Sequence, residues 1–284
     1  MNWTADGPMC GFDTETTSPE PTECRLVSAT TVNTWPHAGA VALELLVQVT
    51  DDIPAEATAV HGITTEHARA NGKALSEVLH LVTVQLNDAW RYRTPIVGMN
   101  LSFDFTVIDC ETRRAGLPPF AVAGPVIDVY VIDKAVDKYR RGSRKLTDMA
   151  AFYGVELTDA HNATADAVAA VEIARAMARR AALAVSDPDQ VAALYADRRF
   201  PHELVRGWQR LAGMPLAELF LKQAQWYGQQ AWSFAEYLRK QAGEADTRAA
   251  YLDDGPERDA AVVEAGELRV RANGVSMDWP LRVG

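Results

Sequence analysis

An α/β fold, a mixed sheet between helical layers with a mainly helical C-terminal extension, is predicted from three features. The first 50 residues hold three β-forming runs, around Phe12, from Leu26 to Val32 and from Val41 to Val49. Between about 74 and 153, short apolar runs alternate with helical periodicity. A long Ala-rich helix, Ala163 to Val185, then precedes Ser186-Asp187-Pro188, after which the character of the chain changes. Strands first in series, then alternating with helices, give a three-layer arrangement.

The elements follow in order. Pro8 to Gly11 leads into Phe12-Asp13-Thr14-Glu15-Thr16-Thr17, an early strand closed by Ser18-Pro19. Asn33 to Gly39, with Pro36 and Gly39, separates the next two strands. Asp51 to Gly72 is loop-rich, with Thr64 or Thr65 placed to cap a short helix. Leu75, Val78, Leu79, Val82 and Leu86 mark an amphipathic helix over about 74–91. Pro95 to Met99 reads as a short buried strand, and Ser102 as the cap of a helix to about Ala115. Pro125 to Ile132 reads as a strand, and Leu146 to Tyr153 as a short helix ended by Gly154.

Residues 1–186 thus form one predicted domain, and 187–284 a helical extension. Its helices over 189–199 and 202–243 carry Trp208, Trp226, Trp232 and Tyr237, before a break at Asp253 to Pro256. Leu268 to Met277 alternates and contains Asn273-Gly274, which predicts a terminal β-hairpin.

The chain has 284 residues, 48% of them hydrophobic and 23% charged, as in ordinary globular proteins. No apolar run is long enough to span a bilayer, so no membrane partner is expected. Three cysteines without metal-ligand spacing and an N-terminus without a signal pattern suggest a cytoplasmic setting. A net charge of −10 weighs against a general nucleic-acid binder, but not against an enzyme that grips a few nucleotides through bound cations.

Candidate chemistry begins at Asp13 and Glu15. Positions i and i+2 of a strand share a face, so these carboxylates repel unless a cation stands between them. A divalent ion with oxygen ligands is suited to that role, although an isolated Asp-x-Glu more often marks a solvated strand end or a turn. Asp104 follows a buried strand at a helix start, and His161 and Asp166 flank the start of the Ala-rich helix. Each acid also fits simple complementation of the helix dipole. The basic run Lys138 to Lys145 is equally a phosphate-binding loop or a solvated one. Asp128 reads as structural.

Read together, Asp13-x-Glu15, Asn100-x-x-Phe103-Asp104 and His161-x-x-x-x-Asp166 resemble the three motifs of the DEDDh, or DnaQ-like, 3′→5′ exonuclease superfamily. The resemblance covers about residues 7–183, and His61-Gly62-Ile63 adds a tripeptide common between the first two motifs. It implies a ribonuclease-H-like sandwich with Asp13, Glu15, Asp104 and Asp166 holding two Mg²⁺ or Mn²⁺ ions and His161 as general base. Thr16, His61, Asn100 and Phe103 would hold the terminal nucleotide, with a core role open for Phe103. The implied substrate is single-stranded DNA or a frayed 3′ end, releasing nucleoside 5′-monophosphates. RNA trimming, proofreading beside a polymerase, and a silent module recruiting a protein partner through the Trp-rich tail are the alternatives. Ser18, where the family often has Gly, and Met99, where it often has His, depart from the pattern.

Overall fold

The computed structural model describes residues 1–36, 39–157 and 163–281. Five strands form one sheet: β1 (Met9–Thr16), β2 (Leu26–Trp35), β3 (Gly39–Leu46), β4 (Ile96–Gly98) and β5 (Val126–Asp128), ordered β3-β2-β1-β4-β5. The first three pair antiparallel, whereas β4 and β5 run parallel to β1. The sheet is mixed, as expected.

Alternation along the strands sends side chains into two apolar layers. Met9, Val97 and Ile127 belong to one, with Val171, Ala174 and Met177 of α7 (Ala163–Ser186). Cys10, Phe12, Ile96 and Val126 belong to the other. They meet Val78, Leu79, Val82 and Leu86 of α3 (Leu75–Arg91), and Leu101, Phe105 and Ile108 of α4 (Leu101–Arg114). Phe12 and Phe105 stack with centroids 5.7 Å apart, fixing α4 against β1.

Two short helices, α1 (Ala55–His61) and α2 (Thr65–Asn71), occupy the loop-rich segment. Thr64 caps α2 by accepting from the backbone N–H of His67. The strand expected over Pro125 to Ile132 stops at Asp128 instead. Its carboxylate accepts the N–H groups of Tyr130 and Val131, starting α5 (Val129–Val136). An acceptor side chain at that position satisfies helix donors that a continuing strand would leave without partners. Asn100, not Ser102, occupies the N-cap of α4, with a left-handed backbone at φ 63°. The short helix α6 (Leu146–Tyr153) ends at Gly154 as predicted.

Beyond α7 come α8 (Pro188–Ala193), α9 (Pro201–Gln209), α10 (Leu216–Ala250) and α11 (Pro256–Asn273). The predicted terminal hairpin is therefore corrected: Leu268 to Asn273 is the end of a helix, and Gly274 is its C-cap. Ala261, Ala265 and Ala272 are buried on α11, as are Ala235, Ala242, Ala245 and Ala249 on α10. Small residues let the two helices pack closely, and that helical period outweighs the local alternation of Leu268 to Arg271. No helix among the described residues is long and apolar enough to cross a membrane.

The extension joins the first layer. Trp208 is 1% exposed and donates its indole N–H to the Tyr195 hydroxyl at 2.7 Å. Leu211, Leu216 and Leu219 continue the same apolar cluster. Trp226 is half-buried, whereas Trp232 and Tyr237 are exposed.

Candidate active site

The site lies at the C-terminal ends of β1, β4 and β5, where the parallel strands hand over to helices. Gly11, Asp13 and Glu15 share the face of β1 that meets α7. Gly11 sets that approach. A Cβ there would stand 2.7 Å from the carbonyl oxygen of Ala167, so only glycine lets α7 lie this close. The preceding residue on α7, Asp166, is thereby brought to the strand acids. Oxygens of Asp13, Glu15 and Asp166 all lie within 4.8 Å of one another.

Asp104 arrives from the opposite layer. It is 4% exposed in the first turn of α4 and accepts a hydrogen bond from Thr14 Oγ1 at 2.7 Å. Thr14 alternates with Asp13 and Glu15 along β1, so the strand presents carboxylates to one side and a hydroxyl to the other. Asp104 lies outside the three-oxygen group but close enough for its charge to act on both strand acids.

The electrostatics describe a crowded anionic site. Burial, then the charges of Asp104, Glu15 and Asp166, push Asp13 well above the usual carboxylate range. Burial followed by Asp166 and Asp104 pushes Glu15 up to about 7. Asp104 is also raised to about 7, chiefly by burial, with the Thr14 hydrogen bond opposing. Carboxylates that repel one another in a desolvated site are held ionised by a cation among them. The donor set is entirely hard oxygen, which fits Mg²⁺ or Mn²⁺. The residues present therefore fit the metals that the sequence resemblance implies.

The remaining predicted residues are placed around this cluster. The Thr16 hydroxyl donates to the Ser18 carbonyl at 2.9 Å, closing the turn after β1. His61, 9% exposed, accepts the Ile63 N–H on Nδ1 at 3.1 Å, which leaves the ring proton on Nε2. Burial lowers its pKa, with the backbone of Thr16 acting in the opposite direction. Asn100 is held by its own N–H donating to Asp128 Oδ1 at 3.0 Å. Phe103 is half-buried at the margin of the second layer. His161, the expected base, lies outside the described residues.

Asp128 is structural in its contacts. It is fully buried and accepts the N–H groups of Asn100, Leu101, Tyr130 and Val131, and the Trp279 indole N–H at 3.4 Å. It thereby anchors the start of both α4 and α5. The basic run is divided in the same way. Arg140 and Arg144 turn inward to Asp133, at 3.2 and 2.7 Å, while Lys138, Arg141 and Lys145 face solvent.

Sequence reasoning assigns no site role to Gly11, Thr14 or Gln223, and reads Ser102 only as a helix cap. A glycine inside a strand was the available signal for the first, since it marks close backbone approach. Ser102 Oγ donates to the Tyr227 hydroxyl at 3.3 Å, joining the start of α4 to the middle of α10. Nothing local announces that pair, whose members are 125 residues apart.

Comparison with known proteins agrees with this arrangement. A family model described as Exonuclease matches residues 10–174. No curated protein sequence matches the chain. Among solved structures, Escherichia coli exonuclease I in complex with a dT13 oligonucleotide is similar at 19% identity and a TM-score of 0.50. That match covers 70% of this chain and 46% of the other. The zinc-bound form of the E. coli exonuclease I complex with single-stranded DNA has the same identity and TM-score, over 67% of this chain and 43% of the other. The chain thus spans less than half the length of these exonuclease I chains, and the likeness is one of fold. The family match extends over more than half of the sequence and includes Asp13, Glu15, Asp104 and Asp166. On that basis, the chain belongs to the Exonuclease family, in its DEDDh (DnaQ-like) 3′→5′ exonuclease branch.

Proposed function

We propose that this protein hydrolyses phosphodiesters from the 3′ end of single-stranded or frayed DNA and releases nucleoside 5′-monophosphates. The observation that carries the reading is the convergence of Asp13, Glu15 and Asp166 oxygens within 4.8 Å, with Asp104 beside them. Bound divalent ions, Mg²⁺ or Mn²⁺, supply activation of the attacking water and stabilisation of the leaving 3′-oxygen.

The chain's own residues then have distinct tasks. The four carboxylates hold the ions, and Thr14 orients the Asp104 carboxylate by its hydrogen bond. The turn at Thr16, with His61, Asn100 and Phe103, holds the terminal nucleotide. His61 is suited to donate from Nε2, because the Ile63 N–H occupies Nδ1. His161 accepts the proton of the water, a role carried over from the family motif. DNA as substrate is supported by the single-stranded DNA named for the E. coli exonuclease I complexes.

The test compares wild type with Asp13→Ala on 3′-labelled single-stranded DNA and on RNA of the same sequence, with Mn²⁺ and with EDTA. Release of labelled mononucleotide from DNA with Mn²⁺, absent with EDTA and lost in the variant, is expected. Intact strands in every arm would overturn the reading. Preferential release from RNA would replace DNA by RNA as the substrate.

A further inference from the structure

Beside the acidic site, two cavities of about 870 and 370 Å³ meet along α5 and α10, the larger also bounded by the end of α11 and the segment after it. They share Lys134, Gln230 and Phe234, so they form one groove. Its larger end is lined by Asn100, the residue assigned above to the terminal nucleotide. Its walls carry Tyr130, Tyr227 and Phe234. Lys134 and Lys138 supply positive charge along the α5 side.

We infer that this groove binds the single-stranded polynucleotide just upstream of the 3′ terminus. The inference rests on the exonuclease reading and adds a second binding region, built largely by the helical extension. Three observations carry it. Two are continuity and composition: the groove is lined by Asn100 at one end, and its lining combines Tyr130, Tyr227 and Phe234 with Lys134 and Lys138 in a chain whose overall charge is −10. Bases stack on aromatic rings without regard to sequence, while lysines track phosphates. Phe234 is 44% exposed, and the Lys134 ammonium lies 5.3 Å from the centroid of the Tyr130 ring, so ring and charge are presented together.

The third is rigidity. Tyr227 is tied to Ser102 at 3.3 Å, and the Gln230 carboxamide donates to the Val131 carbonyl at 3.1 Å. The α10 wall is therefore fixed to α4, which carries Asp104, and to α5, whose start Asp128 caps. Glu20 and Glu23 also line the wide end, on the loop between β1 and β2. Their charge directs the phosphates toward the Lys134 side, leaving the bases to the rings.

The decisive comparison uses wild type and the double variant Phe234→Ala/Lys138→Ala, with Lys138→Ala alone as a milder second variant. Both positions are exposed, and circular dichroism confirms that each variant is folded. Binding of a fluorescent 12-nucleotide dT strand is read by anisotropy in EDTA, where nothing is cleaved. Hydrolysis is read on that strand and on the p-nitrophenyl ester of thymidine 5′-monophosphate, which is too short to extend from the terminal-nucleotide site to Phe234 or Lys138. Roughly tenfold weaker binding in the double variant, a smaller loss and reduced salt dependence in the single one, and unchanged ester hydrolysis are expected. Equal binding by wild type and double variant, or an equal loss on ester and strand, would overturn the groove. Failure of the wild type on both substrates would overturn the exonuclease reading, while the EDTA binding result would still decide the groove.

Discussion

Gln223 and Asp128 are joined as if Gln223 were the next strand of the sheet. The Gln223 Oε1 accepts the Asp128 N–H at 2.7 Å, and its Nε2 donates to the Val126 carbonyl at 2.8 Å. β5 is the last strand in the order, and an uncovered edge leaves backbone groups without partners. One carboxamide on α10 satisfies two of them and fastens the extension to the strand that ends at Asp128.

Gln223→Leu leaves a buried donor and a buried acceptor unmet. Each such loss costs about 1–3 kcal/mol. Thermal unfolding of the variant should fall by several degrees, since about 1 kcal/mol shifts a chain of this size by roughly 2–4 °C. An unchanged melting temperature would show that the carboxamide contributes nothing to the edge.

Trp208→Ala tests whether the extension is integral to the fold. The indole is 1% exposed within the same apolar cluster as α7, and its removal also leaves the Tyr195 hydroxyl without that donor. Such truncations cost about 3–5 kcal/mol. Urea unfolding monitored by tryptophan fluorescence should show a single transition displaced to lower urea. A separate early transition with the main one unmoved would mean that the extension unfolds on its own.

Gly11→Ala acts on geometry rather than on chemistry. The new Cβ would meet the Ala167 carbonyl, and a backbone atom cannot swing away as a flexible side-chain end does. α7 must shift, and Asp166 with it. Nuclease activity should fall by at least roughly tenfold, since misplacement by about 1 Å is costly in a site of this kind. Wild-type activity in a folded Gly11→Ala protein would show that the spacing of α7 and β1 is not critical.

The metal-free protein should lose stability as pH rises. Glu15 and Asp104 are raised to about 7 in the fold, from values near 4 in the unfolded chain. Between those values the native state holds protons that the unfolded state has released, so the favourable contribution is full at acid pH and is lost on passing 7. Melting in EDTA should therefore weaken from pH 5 to pH 8, and Asp104→Asn should flatten that decline. Added Mn²⁺ should restore stability at pH 8, because an ion that binds only the native state stabilises it. Identical pH profiles for wild type and Asp104→Asn would remove Asp104 from this account.

Much of the site was legible in the residues themselves. Asp13 and Glu15 share a strand face because the side-chain period of a strand is two, and the Ala-rich run beginning at Ala163 is helical whatever it packs against. The strand series, the amphipathic helix over 74–91 and the stop at Gly154 rest on equally local rules. Local rules failed where two periods competed. Leu268 to Arg271 alternates as a strand does, but a helix there buries Ala265 and Ala272, and α10 opposite it decided the outcome.

What the sequence alone determined is the chemical inventory: acids in three separated motifs, glycines, and short apolar runs with known periods. The tertiary structure decided which of these meet. Asp166 stands beside Asp13 because Gly11 admits α7, Asp104 is turned to Thr14, and Gln223 reaches β5 from 95 residues away. Propensity acts over a few residues, whereas these relations depend on packing between layers, which no local period encodes.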